Sequence, residues 1–215
     1  MTKTFLHVGC GSKRKGMTTR VFAGEDWREL RFDIDESARP DIVGTMLDMS
    51  AVQDASVDAV FSSHNIEHLY AHEVPVALGE FRRVLKPDGF LVLTCPDLQS
   101  ICKLVAEDKL TDVAYSSLAG PIAPIDVLYG YRPKLKAGNH YMAHKCGFTL
   151  RVLVGTLKSA EFETVTGWAR GRAPHFDLWA LASVRQMEQS DIEQLAKDHF
   201  PTGQDVGAGL SETSR

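Results

Sequence analysis

The chain has 215 residues, a length that suits one α/β domain with a full core and leaves little room for a second domain. A hydrophobic content of 44% and a charged content of 24% are ordinary for a globular protein. The net charge of −4 argues against nucleic acid or an anionic membrane as a partner. We also expect no membrane span and no signal peptide, because no apolar run is long enough for the first and the N-terminus lacks the apolar region of the second.

The cysteines give an indication of the compartment. None of them stands in a Cys-x-x-Cys pair, the spacing that is typical of redox motifs and zinc sites. Such a pattern favours reduced, mostly buried thiols and therefore a cytoplasmic protein. The four residues are Cys10, Cys95, Cys102 and Cys146.

The first predicted strand is short and is followed by two glycines. Residues 5–8 are apolar except for His7, and Gly9 and Gly11 follow them. Glycines at the end of a strand let the backbone turn tightly and approach a ligand closely. Residues 12–27 show no apolar helical face, so we expect a loop or a stunted helix there. Its basic side chains are interpreted as a solvated loop, with attraction of an anionic substrate as the alternative; they are Lys13, Arg14, Lys15 and Arg20.

A second apolar segment, Leu30–Ile34, ends in an acidic side chain. Asp33 lies about 20 residues beyond Gly11, the spacing at which nucleotide-binding α/β folds place the carboxylate that binds ribose hydroxyls. Residues 41–44 predict a short third strand, and Asp48 follows between apolar neighbours. Considered alone, Asp48 is more typical of a helix cap than of a contact to an adenine amino group.

The middle of the chain contains the clearest supersecondary unit. Residues 57–62 are β-branched and apolar, which predicts a buried strand. Apolar residues at helical spacing over 74–85 predict an amphipathic helix, which ends at Pro87-Asp88-Gly89. Residues 90–94 read as the next strand. Strand, helix and strand in this order predict a βαβ unit and hence a partly parallel sheet.

The second half of the chain is less regular. Residues 98–108 and 148–157 predict helices, the second with Thr149 as a candidate N-cap, and 162–168 and 177–184 predict two strands. Residues 110–147, rich in Gly, Pro, Tyr and His, are interpreted as a substrate lid inserted in a domain that spans 1–185. Residues 186–215 predict a short polar helix and a flexible tail.

The order of these motifs resembles class I S-adenosylmethionine (SAM)-dependent methyltransferases, in particular the methyltransferase type 11-like group of predicted SAM-dependent methyltransferases. The resemblance extends over roughly residues 5–184 and is most specific in Arg-Val-Leu-Lys-Pro-Asp-Gly. The segments that carry it are Leu-His-Val-Gly-Cys-Gly, Arg-Phe-Asp-Ile-Asp, Met-Leu-Asp-Met, Ser-Ser-His-Asn-Ile-Glu-His-Leu and Phe-Arg-Arg-Val-Leu-Lys-Pro-Asp-Gly-Phe-Leu-Val-Leu-Thr-Cys-Pro-Asp.

The resemblance implies a Rossmann-like α/β fold: a seven-stranded, mostly parallel sheet with an antiparallel last strand and helices on both faces. It implies SAM as the cofactor, and no metal site. Gly9 and Gly11 would line the methionine moiety of SAM, and Asp33 would bind the ribose hydroxyls. The other implied cofactor contacts are Ile34 packing on the adenine, Asp48 and the Met49 backbone at the adenine edge, and Ser63 and His64 beside the sulfonium.

Two features depart from the family pattern. His7 stands where the family often has an acidic residue, and the basic loop replaces the first helix. Contacts to the methionine carboxylate would then involve Lys13 or Arg14. Because SAM carries no phosphates, a phosphate-binding helix N-terminus is not required at this point.

The expected activity is methyl transfer (EC 2.1.1.-) to an unidentified small or glycan-like acceptor. An oxygen acceptor of high pKa needs a general base. His64 is the first candidate, because it follows a strand end and imidazole titrates near neutrality. His144 and Tyr129, on the predicted lid, come second; for each of the three, a purely structural role is the alternative.

Three other functions are compatible with parts of the sequence. A SAM-binding protein without turnover is one, because the first helix is missing. His64-Asn65-Ile66-Glu67-His68 matches the inverted zinc-protease signature, which needs both histidines on one face of a helix. An NAD-linked oxidoreductase is disfavoured, because the third glycine of G-x-G-x-x-G is missing after Gly11. The oligomeric state is left open.

Overall fold

The computed structural model describes residues 2–117 and 119–201 and contains one seven-stranded sheet and a separate hairpin. The strands are β1 (Lys3–Val8), β2 (Trp27–Asp33), β3 (Ile42–Val43), β4 (Val57–Ser63), β5 (Leu85–Pro96), β6 (Tyr115–Ser117), β7 (Gly120–Ile122), β8 (Thr164–Ala169) and β9 (Asp177–Ser183). The helices are α1 (Val74–Val84), α2 (Leu98–Ala106), α3 (Pro124–Tyr129), α4 (Arg132–Lys136), α5 (Leu150–Ser159) and α6 (Gln189–His199).

The strand order of the large sheet is β3-β2-β1-β4-β5-β9-β8. Strands β1 to β5 pair in parallel, whereas β9 is antiparallel to both β5 and β8. This topology confirms the predicted Rossmann-like sheet with an antiparallel last strand. Parallel strands align their carboxyl ends along one edge, so the loops that follow β1, β2, β4 and β5 meet there.

The predicted βαβ unit is present with small changes of boundary. Helix α1 buries Ala77, Leu78 and Phe81 against the sheet, as its helical spacing predicts. Strand β5 begins at Leu85, before the Pro-Asp-Gly turn, because Leu85 already pairs with Val57. The later helix α5 begins as predicted behind Thr149, whose hydroxyl accepts a hydrogen bond from the N–H of Val152.

The connection from β1 to β2 contains one short 3-10 helix, Lys15–Met17, which confirms the expectation of a loop or stunted helix. Its apolar anchor is Phe22, fully buried and stacked on Phe5 with ring centroids 4.3 Å apart. Phe61 and Phe90 complete the cluster on this face of the sheet. The loop therefore buries aromatic area where the fold normally packs a helix.

Helix α6 covers the same face of the sheet. Ile192 and Ala196 are buried in the cluster around Phe22, and Phe200 follows them. The helix is mostly polar, as predicted, but its narrow apolar side fills the space beside the loop. The flexible tail predicted beyond it lies largely outside the described residues, which end at position 201.

A buried histidine joins α6 to this loop. His199 Nδ1 lies 2.9 Å from the hydroxyl of Thr19, and the ring packs on Phe22 and Phe90. Its Nε2 is buried without a hydrogen-bond partner. Burial lowers the pKa of His199 from 6.5 to about 4, so the ring is neutral in the folded protein near pH 7.

We expect this histidine to make the fold sensitive to acid. Between pH 6.5 and about 4 the unfolded chain binds a proton at His199 that the folded chain does not, so stability falls as the pH falls through this window. From pH 7.5 to 4.5 the free energy of unfolding should drop by about 2.5 kcal/mol more in the wild type than in His199→Gln. Urea unfolding at both pH values measures this difference, and equal losses in the two proteins would contradict it.

Residues 110–147 contain a hairpin and short helices rather than an extended loop. Strands β6 and β7 pair, and α3 and α4 are joined through Arg132, whose guanidinium binds the buried carboxylate of Asp126 with a 2.6 Å contact. The role of this segment as a substrate lid stays a prediction. Within the described residues, no helix is long and apolar enough to cross a membrane.

Candidate functional site

Several of the predicted site residues follow strand ends that the sheet brings into line. Val8 at the end of β1 is in register with Phe32 of β2 and with Ser62 of β4. Ser63 in turn pairs with Thr94 of β5. The residues that follow these positions therefore face one common edge, as ligand-binding residues do in open α/β sheets.

The glycine turn after β1 needs glycine for two different reasons. Both residues have a positive φ, +66° at Gly9 and +50° at Gly11, which disfavours other side chains. A Cβ at Gly9 would also overlap the side-chain amide of Asn65, whereas the space beside Gly11 is open. The turn thus presents bare backbone at Gly11, where a ligand can approach closely.

Asp33 lies directly beside this turn and is buried. Its Oδ2 accepts a hydrogen bond of 2.6 Å from the N–H of Gly11, and its Oδ1 accepts one of 2.9 Å from the N–H of Asp35. A carboxylate has about four acceptor positions, so each oxygen retains capacity for a further donor. Asp33 therefore fixes the glycine turn and still has acceptors for the two hydroxyls of a ribose.

Two further side chains of β2 hold the loop that replaces the first helix. Glu29 accepts hydrogen bonds from the ring of His7 (2.6 Å) and from the N–H of Lys15 (2.9 Å). Arg31, which is buried, donates to the carbonyl oxygens of Gly11, Ala38 and Arg39. These residues alternate with apolar ones and share the face of β2 that carries Asp33. The alternation is visible in the sequence, although only Asp33 was predicted as a site residue.

His7 is explained by the same arrangement. Its ring is buried between the strands and contacts Glu29. Burial lowers the pKa of His7, and the neighbouring Glu29 carboxylate opposes this effect only in part. His7, the residue that departs from the family pattern, therefore has a structural role as the partner of Glu29.

The basic loop separates into a structural lysine and exposed cations. Lys15 Nζ donates to the carbonyl oxygens of Gly24 and Trp27, each at 3.0 Å, so it closes the loop. Lys13 and Arg14, predicted near the methionine carboxylate, are exposed.

The predicted adenine contacts differ in what they can offer. Ile34 is 45% exposed beside Asp33, a position that suits stacking on a planar base. Asp48 is exposed and accepts a hydrogen bond from the N–H of Ser50.

The Met49 backbone, predicted at the adenine edge, already has hydrogen-bond partners within the fold. Its N–H donates to Glu80 and its carbonyl accepts from Arg83, at 2.6 and 2.9 Å. Its side chain is fully buried. The Met49 backbone therefore has no free N–H for an adenine edge, because the Glu80–Arg83 pair of α1 occupies it.

The corner after β4 presents an imidazole at the same edge. His64 adopts a positive φ of +52°, and its N–H donates to the carbonyl of Thr94. Its side chain is 45% exposed, and its Nδ1 lies 3.6 Å from Oε1 of Glu67. Ser63 accepts a hydrogen bond of 2.9 Å from the Thr94 hydroxyl. The backbone strain at His64 turns its ring toward solvent beside the sheet edge.

Glu67 is the buried centre of a histidine cluster. Burial by itself raises the pKa of Glu67, but the imidazoles of His64, His68 and His144 outweigh it and lower that pKa overall. The predicted residue His144 is brought here by the 110–147 segment, whose Lys145 N–H donates to the Glu67 carbonyl at 2.8 Å. Burial lowers the pKa of His144, although Glu67 opposes the shift.

A cavity of about 260 Å³ adjoins this cluster. Its wall joins the end of β5 to the 110–147 segment; it includes Glu67, Pro96, Tyr129, His144, Lys145 and Cys146. The predicted residue Tyr129 is 63% exposed overall, so its ring is accessible to a ligand. Glu67, His144 and Lys145 contribute polar groups to this mainly apolar lining.

The inverted zinc-protease signature lacks its structural context here. His64 lies in the corner with a positive φ, and the 3-10 helix that follows covers only Ile66–His68. The two histidines are therefore not on one face of an α-helix, as the protease mechanism requires.

Comparisons with known proteins agree with this geometry. Residues 6–93 match the family model of a methyltransferase domain. No curated protein matches the chain in sequence. A SAM-dependent methyltransferase from Methanosarcina mazei has a TM-score of 0.57 at 18% identity, covering 87% of this chain and 94% of its own.

Two other solved structures are similar to the same extent. One is a SAM-dependent methyltransferase from Thermotoga maritima, described as a possible histamine N-methyltransferase, with a TM-score of 0.55, 15% identity and coverage of 86% and 84%. The other is the 1,6-didemethyltoxoflavin-N1-methyltransferase from Burkholderia thailandensis, solved with 1,6-didemethyltoxoflavin and S-adenosylhomocysteine; its TM-score is 0.52 at 16% identity, with coverage of 85% and 71%.

At these identities the solved structures establish the fold, and the family match adds the sequence signature. The matched range runs from Leu6 in β1 to Leu93 in β5, so it contains the glycine turn, Asp33 and the His64 corner. The fold and the family match together confirm the predicted resemblance to class I SAM-dependent methyltransferases of the type 11-like group, whose cofactor is S-adenosylmethionine.

Proposed function

We propose that this protein transfers a methyl group from SAM to a hydroxyl of a small or glycan-like acceptor. The observation that carries the proposal is the hydrogen bond between the glycine turn and Asp33. The Gly11 N–H is held on the Asp33 carboxylate at the edge of the sheet where the His64 ring is exposed. A nucleoside-binding carboxylate and a titratable group thus stand at neighbouring strand ends.

The residues of this edge fit the cofactor. Asp33 retains acceptors for the ribose hydroxyls, Ile34 offers an exposed apolar surface for the adenine, and Asp48 offers a carboxylate for the adenine amino group. The open space beside the Gly11 backbone suits the methionine moiety. SAM supplies a methyl group activated by the sulfonium, so the protein chiefly aligns donor and acceptor.

His64 is proposed as the general base that takes the acceptor proton. Its ring is half exposed, which leaves it accessible to an acceptor, and Glu67 lies 3.6 Å behind it. The buried carboxylate orients the imidazole and stabilises the imidazolium that forms, because opposite charges interact strongly away from water. His144 and Tyr129 at the cavity are proposed to hold the acceptor.

The location is proposed to be cytoplasmic, in keeping with the four free thiols. The acceptor is proposed to enter beside residues 110–147, because this segment forms the outer wall of the cavity next to Glu67.

Calorimetric titration with SAM and S-adenosylhomocysteine tests the cofactor part of the proposal. We expect binding of one equivalent of each in the micromolar range. Release of S-adenosylhomocysteine over a panel of sugars and other hydroxylated acceptors then tests turnover. Binding without release for any acceptor would favour a SAM-binding protein without turnover, and no binding would overturn the proposal.

His64→Ala should separate binding from chemistry. We expect S-adenosylhomocysteine affinity within about threefold of the wild type and a kcat that is lower by about 10²–10⁴-fold, the usual contribution of a general base. His72→Ala is the matched control, because His72 is an exposed histidine of the same segment. A kcat that His64→Ala leaves unchanged would exclude His64 as the base.

A further inference from the structure

The cluster around Glu67 has the composition of a metal site. Glu67, His68 and His144 each offer one ligand atom, and these atoms lie within 4.8 Å of one another. Two imidazoles and one carboxylate form a donor set that suits zinc and related first-row divalent ions.

The hydrogen bonds of the two imidazoles use one ring nitrogen each and leave the other available to a metal ion. His68 Nδ1 lies 3.1 Å from the carbonyl of Ala143, and His144 Nδ1 lies 2.6 Å from the carbonyl of Val127. A carbonyl oxygen only accepts, so each Nδ1 carries the proton and each Nε2 has a free lone pair in the neutral ring. Backbone carbonyls orient metal-binding histidines in this way in many metalloproteins.

The carboxylate supplies the second, independent observation. The Glu67 side chain is 2% exposed, and its Oε2 is buried without any hydrogen-bond partner in the described structure. The titratable groups that face it are the imidazoles of His64, His68 and His144. A buried carboxylate oxygen without a hydrogen-bond donor is costly, and a bound metal ion would supply the partner that Oε2 of Glu67 lacks.

The backbone holds the three ligands together across a long separation in sequence. Glu67 and His68 stand on the 3-10 helix after β4, whereas His144 comes from the 110–147 segment. The N–H groups of Lys145 and Cys146 both donate to the Glu67 carbonyl, at 2.8 and 3.3 Å. This anchoring places His144 beside Glu67 independently of any bound ion.

We propose that Glu67, His68 and His144 bind one divalent transition-metal ion of the zinc class at the wall of the acceptor cavity. Ligands of a tetrahedral zinc lie roughly 3.4 Å apart, so the three side chains draw in by about an ångström on binding. Three protein ligands leave one coordination position for an exogenous oxygen, as in catalytic rather than structural zinc sites.

The free coordination position would let the metal ion bind the acceptor in the proposed reaction. Glu67 and His144 line the cavity, so an acceptor hydroxyl there would complete the coordination and lose its proton more readily. This consequence rests on the proposed function, whereas the metal site does not. In that case, His64 would receive a proton from a hydroxyl already polarised by the metal.

The site is tested on the full chain after removal of metals with a chelator. Zn²⁺ is titrated calorimetrically, and Co²⁺ is added while its visible d–d absorption is recorded. We expect one equivalent to bind with a Kd in the micromolar range or below, and a Co²⁺ spectrum typical of four- or five-coordinate geometry. Absence of both would overturn the proposal.

Variants identify the ligands. Glu67→Gln and His144→Asn should each weaken Zn²⁺ binding by about 100-fold or more and abolish the Co²⁺ spectrum, because each removes one of three ligands. His140→Asn is the control, because His140 is an exposed histidine of the same segment. If both ligand variants bind Zn²⁺ with wild-type affinity, the ion binds elsewhere on the protein surface and the proposed site is wrong.

A parallel titration with S-adenosylhomocysteine separates this proposal from the proposed function. Glu67→Gln is nearly isosteric, and an unchanged circular dichroism spectrum shows that it is folded. Metal binding without S-adenosylhomocysteine binding would refute the methyltransferase proposal and retain the metal site. Cofactor binding and turnover without metal binding would refute the metal site alone.

Discussion

Asp33→Ala is expected to lower the affinity for S-adenosylhomocysteine by about 100-fold or more. A hydrogen bond to a charged acceptor contributes about 1.5–3 kcal/mol, and both ribose hydroxyls lose their partner in this variant. The Gly11 N–H loses its acceptor as well, so the glycine turn is no longer fixed. Calorimetric titration well below the unfolding temperature measures the effect on binding apart from any loss of stability.

Asp35→Ala is the matched control. Asp35 is the next acidic residue of the same segment, but it is not buried and its side chain accepts the N–H of Ser37. Its affinity should stay within about threefold of the wild type, because this side chain only caps a short turn. Equal losses in the two variants, or wild-type affinity in Asp33→Ala, would remove Asp33 from the ribose site.

Arg31→Leu is expected to reduce the free energy of unfolding by about 3 kcal/mol or more. The guanidinium is buried and joins three backbone carbonyls, on both the glycine turn and the segment after β2. Leucine leaves these acceptors unpaired, at a cost of about 1–3 kcal/mol for each one that stays buried. Urea unfolding measures the loss, and weaker S-adenosylhomocysteine binding should accompany it, because the carbonyl of Gly11 is released.

The control for this variant lies on the same strand. Arg28 is exposed and donates only to the hydroxyl of Thr4, so Arg28→Leu should change stability by less than about 0.5 kcal/mol. If Arg31→Leu does not fold, Arg31→Lys keeps the charge with fewer donors and should show an intermediate loss. If the Arg31→Lys protein is as stable as the wild type, the hydrogen bonds from Arg31 to the three carbonyl oxygens contribute nothing to the free energy of unfolding.

The arrangement of β2 explains how this fold dispenses with its first helix. Glu29, Arg31 and Asp33 are three successive side chains on one face of a strand, and each fixes a different part of the loop after β1. Polar side chains thus supply the hydrogen bonds that a helix would make internally, while Phe22 supplies the apolar contact. The strand ends that we propose bind the cofactor therefore rest on a network of hydrogen-bonded polar side chains.

The predicted elements were those with a local physical signal. Alternating or continuous apolar runs located β1, β2, β4 and β5, and helical spacing located α1 and α5 with its Thr149 cap. The spacing of Gly11 and Asp33 predicted Asp33 as the acid at the end of the second strand, and parallel pairing places it beside the glycine turn. These features depend on residues a few positions apart or on a general rule of sheet topology.

The features that were missed depend on distant residues. Helix α6 was predicted as a short polar helix, but its Ile192 and Ala196 pack with Phe22, more than half the chain away. The resemblance implied an adenine contact for the Met49 backbone, and the sequence did not indicate that Glu80 and Arg83 of α1 bind that backbone. Neither contact leaves a periodicity in the sequence.

The amino-acid sequence by itself determined the fold, because hydrophobic periodicity and glycine punctuation mark its elements, and the cofactor class, because the ordered motifs resemble a known family. Only the tertiary structure decided which side chains meet behind the strand ends of the sheet. Glu67 and His144 are 77 positions apart in the sequence. They come together because backbone hydrogen bonds anchor the 110–147 segment on Glu67. Contacts of this kind arise from packing and long-range hydrogen bonding, which spacing along the chain does not encode.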